Sequence, residues 1–253
     1  MPIEVALPQS SFWGALLALA RVGGVVALVP VPGWRRAPET TRIVFAICLT
    51  VALAPVWPVN VGTDASLGKI VGWVFSETMI GLAMGLAVSL LVEGFAIAAQ
   101  LLGLQAGYGY ASTIDPSTEA DSGILPVVVQ LAASLLFFSF GMEAQVIRAL
   151  ALSFSKFPPG AWVVPPGQLE GILALGAGMW TTALRLAMPV IGLLILLDLA
   201  MAILGKVATQ LQLLSVAFPA KMLVTLATLA MLAAALPGLF EQQAATVVAL
   251  WRR

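Results

Sequence analysis

Five charged residues interrupt otherwise apolar stretches: Arg21, Glu77, Glu93, Arg185 and Asp198. They are the side chains best placed to do chemistry. A charge at the bilayer centre costs on the order of 2.5–3.5 kcal/mol on insertion scales, so it faces a protein partner or water. One reading is an ion or proton pathway. The other, favoured by the spread of these charges along the chain, is a set of interhelical pairs, or snorkelling near run ends. Arg185 and Asp198 are 13 residues apart, about 20 Å along a helix, so each must meet a different element. Other chemistry is poorly provided for. There is no histidine, hence neither the commonest general base nor the commonest metal ligand. The one cysteine, Cys48, lies in the apolar run Ile43–Ala54 and reads as a small buried apolar residue. No G-x-S-x-G nucleophile motif is present, which argues against an intramembrane enzyme. No cofactor is expected.

The most unusual segment is Gly103-Leu-Gln-Ala-Gly-Tyr-Gly-Tyr-Ala-Ser-Thr-Ile-Asp-Pro116. It sets both tyrosines of the protein, Tyr108 and Tyr110, beside Gly107 and Gly109, and ends at Asp115-Pro116. Glycine permits backbone turns that other residues resist. Irregular backbone at membrane depth survives only inside protein or beside water. The segment is therefore either an interfacial aromatic turn or a loop that lines or closes a passage. Two G-x-x-x-G spacings, Gly81–Gly85 and Gly103–Gly107, each offer a smooth face for close helix packing.

The elements that must position these residues are apolar helices. The chain has 253 residues, 60% of them apolar and 9% charged, with 12 basic and 12 acidic side chains; its mean hydropathy is +1.03. Soluble domains are roughly 45–50% apolar and about 25% charged, so lipid or other apolar protein must surround much of the chain. The balanced charge gives no sign of a nucleic-acid partner. The apolar runs are Phe12–Val29, Ile43–Val56, Ile70–Ala106, Ile124–Gly141, Ile172–Leu204 and Leu213–Leu236, with a short tail Ala244–Trp251. Two of them, Ile70–Ala106 and Ile172–Leu204, are far longer than the roughly 20 residues that cross the hydrocarbon. Prolines cluster at the run boundaries, where a missing donor costs least, except for Pro189 and Pro219 inside runs. With no positive charge before the first run, the N-terminus reads as a retained membrane segment, not a cleaved signal. Arg35, Arg36 and Arg42 place the loop after the first run in the cytoplasm and the N-terminus outside. Arg252 and Arg253 suggest a cytoplasmic C-terminus, and the acidic loop Gly107–Gly123 suits the outer side. No linker or second domain is visible, so residues 1–253 read as one all-α, multi-spanning membrane domain.

The segment Gly103–Pro116 resembles the signature of the FliR family of type III export-gate subunits, whose injectisome counterparts share the fold. The resemblance runs on through Arg21-Val-Gly-Gly, Pro30 to Pro38 and Ala54-Pro55, then Glu77 to Gly85, then Leu135 to Gly141 with Ser153-Phe154 and Pro158-Pro159-Gly160. Met188-Pro189 to Asp198, Gln210-Leu211 and Phe218-Pro219-Ala-Lys221 complete it. Gly141-Met142-Glu143 and Thr209-Gln210-Leu211 depart from the family's usual residues and bear on the subfamily. The resemblance implies a non-enzymatic subunit in a bacterial inner-membrane assembly at the flagellar basal body. FliP-like and FliQ-like subunits would complete its ring, an FlhB-like protein would pack outside, and unfolded proteins would pass through the centre. It further implies that Tyr108, Tyr110 and Ile114 seal the pore, that Gly107, Gly109 and Asp115-Pro116 shape the loop, and that Ile70–Ala106 and Ile172–Leu204 fold as bent helical hairpins. An injectisome export-gate subunit is the first alternative; behind it stands a self-contained secondary transporter, with Glu77, Glu93, Arg185 and Asp198 on its pathway and Pro189 breaking a helix.

Overall fold

The computed structural model describes residues 9–31, 38–57, 66–108, 124–158, 168–207 and 213–252. These are helical, with no strand among the described residues. In chain order the α-helices are α1 (Gln9–Leu28), α2 (Glu39–Ala52), α3 (Leu67–Ala106), α4 (Ile124–Ser139), α5 (Met142–Lys156), α6 (Gln168–Val207), α7 (Leu213–Leu232) and α8 (Leu236–Arg252). Short 3-10 turns follow α2 at Ala54–Val56 and join α7 to α8 at Ala233–Ala235. By length and composition, three helical stretches can cross a membrane: Leu67–Ala106, Glu170–Val207 and Val216–Trp251. A fourth arises if α4 and α5, broken at Phe140-Gly141, count as one span.

The two overlong runs do not turn back on themselves. Each is one continuous helix of 40 residues, about 60 Å long and twice the hydrocarbon thickness. The expectation of a bent hairpin inside either run is corrected. Leu67–Ala106 contains no proline to break it, and Pro189 sits within α6 without ending it, as membrane helices tolerate. The reversal comes between runs instead.

Two compact units divide the chain. One comprises residues 1–89, 141–173 and 247–253. In it α1 and the first half of α3 run parallel, as the successive pairs Arg21 with Glu77, Gly24 with Gly81 and Val25 with Gly85 show. The Gly81–Gly85 spacing is thus a packing face, as expected. A methyl group on Gly81 would collide with the Arg21 carbonyl, and one on Gly85 would stand 2.9 Å from the Val25 carbonyl oxygen. Helix α2 packs on α1. It buries only Ala46 and Thr50 and leaves Ile43, Val44, Ile47 and Val51 exposed. The expectation for Cys48 is corrected: it too is exposed. Apolar sequence reports avoidance of water, and on a helix covered by lipid or another chain that does not require burial within its own fold.

The other unit comprises residues 90–140 and 174–246. Its core joins Leu102 and Ala106 of α3, Leu125 of α4 and Ala187, Val190 and Leu194 of α6, with Tyr108, Val224, Leu229 and Leu232 packed around them. Phe240 is fully buried, its ring 6.0 Å from Phe95 and 5.6 Å from Phe140. Helix α6 runs antiparallel to α7 and α8: Asp198 meets Lys221, Arg185 meets Gln242 and Gly178 meets Gln243. This is the unit's helical hairpin. Leu196, Leu199 and Ile203 of α6 and Leu223 and Leu226 of α7 remain exposed, an apolar surface suited to lipid or a neighbouring chain.

Candidate functional site

The glycine-rich segment begins where α3 ends, and the reason it ends there is local. Gly107 takes φ +83°, a left-handed conformation that costs an L side chain about 1–2 kcal/mol. Its N–H donates to the Leu104 carbonyl at 3.2 Å, and the Tyr108 N–H donates to the Gly103 carbonyl at 3.0 Å. These two bonds form the Schellman arrangement that satisfies the last carbonyls of a helix. The Gly103–Gly107 spacing is therefore not a second packing face within this chain, among the described residues. A methyl group on Gly103 would meet nothing within 4 Å, whereas one on Gly107 would lie 2.7 Å from the Phe218 ring. Gly103→Ala should accordingly be neutral or slightly stabilising in detergent melts of the protein. Gly107→Ala should lower the melting temperature by the equivalent of about 1–2 kcal/mol. Equal behaviour of the two variants would contradict this assignment of the helix end.

From that turn Tyr108 reaches α7, donating its hydroxyl to the Met222 carbonyl at 3.3 Å. Burial pushes the Tyr108 phenol above its ordinary pKa, so it remains a neutral donor. One residue earlier on α7, Lys221 pairs with Asp198 of α6 at 2.5 Å, with 16% and 43% of the side chains exposed. Phe218 and Pro219 occupy the preceding turn, Pro219 lying inside the helix. Thus Gly107 and Tyr108 meet Phe218 and the backbone of Met222, a contact between two sequence motifs more than 100 residues apart. Gly109, Tyr110, Ile114, Asp115, Pro116 and Gln210 lie outside the described residues.

Of the charged residues that interrupt the apolar runs, Arg21, Glu77 and Asp198 sit in ion pairs. Arg21 and Glu77 are each fully buried and form a salt bridge from Nε to Oε2 at 2.5 Å. Arg21 Nη1 donates to the Ser153 hydroxyl at 2.9 Å, and Nη2 donates to the Phe157 carbonyl at 2.8 Å. Its guanidinium also lies 4.4 Å from the centre of the Phe154 ring, within cation–π range. One side chain of α1 thereby joins α3, α5 and the residue that ends α5. Arg185 is exposed and donates to Gln242 of α8 at 3.4 Å. As their separation required, Arg185 and Asp198 meet different partners. Glu93 is half-buried on α3. No group of three or more acidic, cysteine or histidine residues among the described residues could hold a metal.

Sequence reasoning missed two features of this geometry. It did not pair Arg21 with Glu77, because nothing local links positions 56 residues apart. It also did not connect Tyr108 to α7, because the acceptor is a backbone carbonyl and carries no side-chain signature.

Comparison with known proteins gives this geometry its context. Residues 12–247 match the family described as bacterial export proteins, family 1. The chain is 27% identical over 222 residues to the flagellar biosynthetic protein FliR of Escherichia coli (strain K12), covering 87% of this chain and 83% of that one. It is 28% identical over 231 residues to FliR of Pectobacterium carotovorum subsp. carotovorum, covering 91% and 86%. With FliR of Bacillus subtilis (strain 168) it shares 25% over 215 residues, covering 83% and 82%. The chain belongs to the bacterial export proteins, family 1, the family of FliR.

Proposed function

We propose that this protein is a non-enzymatic subunit of the flagellar type III export gate, acting in the bacterial inner membrane at the flagellar basal body. With FliP-like and FliQ-like subunits, and an FlhB-like protein outside them, it would form the conduit for unfolded substrate proteins. The observation that carries this reading is the family match over residues 12–247, joined to flagellar relatives aligned along most of their own length. The relatives are flagellar by name, which favours that branch over the injectisome. The apolar faces left exposed on α2, α6 and α7 fit a subunit whose cover comes from sister chains as well as lipid.

In this reading the loop after Gly107 is the plug. Tyr108, Tyr110 and Ile114 supply an apolar, aromatic constriction that resists ions, and a loop can yield to a polypeptide where a helix cannot. Gly107, Gly109 and Asp115-Pro116 give the loop its shape. The charged residues Arg21, Glu77, Glu93, Arg185 and Asp198 hold helices or subunits together. A secondary transporter would work alone after purification, whereas the gate subunit should co-purify with several other small membrane proteins. The plug is tested by Tyr110→Ala with Ile114→Ala, in the complete gate reconstituted in vesicles. Potassium leak should rise clearly above that of the wild type while gate assembly is unchanged. A leak equal to the wild type would remove the plug assignment.

A further inference from the structure

The first turns of α7 do more than fill the core beside the glycine-rich segment. Three contacts converge there. The Phe218 ring occupies the space a side chain at Gly107 would need. The Tyr108 hydroxyl donates to the Met222 carbonyl, and Lys221 ties the same turn of α7 to Asp198 on α6. Phe218 and Met222 are four residues apart, so they lie one above the other on a single helix face. A carbonyl has two lone pairs, so Met222 can accept from Tyr108 while keeping its place in the helix. At Pro219 the helix lacks one backbone donor, which weakens its N-terminal turns and makes side-chain contacts there count for more. The Lys221–Asp198 pair supplies such a contact.

We infer that this face of α7 is a seat that fixes the direction in which the chain leaves α3, with Asp198 and Lys221 as positioning residues for the plug. The inference rests on the plug reading above. It gives the Phe218-Pro219-Ala-Lys221 motif a task that neither the ion pair nor the family match assigns. The seat meets Gly107 through the Phe218 ring and Tyr108 through one hydrogen bond, and the ion pair holds the seat.

The test uses the complete gate in vesicles and reads potassium leak together with gate yield. Tyr108→Phe keeps the ring and removes only the hydroxyl. It should shift the balance between seated and unseated segments by roughly two- to fivefold, the worth of one long hydrogen bond, and leak should rise with yield unchanged. Lys221→Met should leak at least as much, and exchanging the pair as Asp198→Lys with Lys221→Asp should restore the seal. A role confined to stability would lower yield without raising leak per gate. If Tyr108→Phe and Lys221→Met both conduct like the wild type while Tyr110→Ala with Ile114→Ala leaks, the seat is wrong and the plug stands. If the loop variant does not leak, the plug falls and the seat falls with it. Should Lys221→Met fail to assemble, Tyr108→Phe decides alone, since it leaves every packing contact in place.

Discussion

Replacing Arg21 by alanine is expected to abolish accumulation of the folded protein, the largest single-residue loss in the chain. The guanidinium is fully buried and serves three directions at once: Glu77, the Ser153 hydroxyl and the Phe157 carbonyl. Its removal leaves the Glu77 carboxylate buried without a counter-charge. Breaking one side of a buried pair costs about 3–5 kcal/mol, a large share of the roughly 5–15 kcal/mol that holds a typical domain together. Arg21→Lys should rescue little. A single ammonium can approach Glu77, but it cannot present the planar fork that also reaches two further acceptors. Glu77→Ala should be nearly as damaging, since it strands the arginine instead. The pair need not be a net source of stability, however. Glu77 Oε1 is buried without a hydrogen-bond partner among the described residues, so the carboxylate is only half satisfied. Arg21→Met with Glu77→Leu should therefore recover much of what either single change loses, because apolar replacement of a whole buried pair is often neutral or better. The measurements are the amount of protein in the membrane fraction and its melting temperature in detergent. A single Arg21→Ala variant that accumulates and melts like the wild type would show that the pair does not hold these helices together.

The same residues show how much the sequence could disclose. The helices were legible because run length and proline placement are local properties. Pro30 and Pro38 mark the end of α1 and the start of α2, each where a missing donor is tolerated. That α6 would pass through Pro189 was visible only as an allowed exception. The burial of Cys48 was misjudged because hydropathy reports preference for an apolar medium and not which medium supplies it. That Arg185 and Asp198 must find separate partners followed from helix rise alone, and the identities of Gln242 and Lys221 did not. Partner identity depends on which helices lie side by side, and many pairings of apolar helices bury similar area. The two G-x-x-x-G spacings make the same point at closer range. They are identical as patterns, yet one packs against α1 and the other ends α3. What separates them is the neighbour: the backbone of α1 faces Gly81, and the Phe218 ring faces Gly107.

That neighbour makes Gly81→Ala the second large effect. A side chain there would meet the backbone carbonyl of Arg21, and the Cα of Gly24 lies 3.1 Å from the same point. The opposing atoms are backbone, so no rotamer change can clear them and α1 must move away from α3. Overpacking of this kind costs typically about 1–3 kcal/mol, occasionally more. The upper part of that range is expected here, because the displaced turn of α1 carries Arg21 itself. Moving it lengthens the bond to Glu77, one helical turn back along α3. The two losses should be coupled: once Arg21 and Glu77 are replaced together by Met and Leu, adding Gly81→Ala should cost less than it does in the wild type. Gly72→Ala provides the control on the same helix, since a methyl group there meets nothing within 4 Å. It should be neutral or stabilising by up to about 1 kcal/mol through helix propensity. Thermal melts of Gly81→Ala and Gly72→Ala, with and without the paired replacement, provide the comparison. If the two glycines respond alike, close backbone approach is not what joins α1 to α3. If Gly81→Ala costs the same in both backgrounds, the helix contact and the buried ion pair act independently.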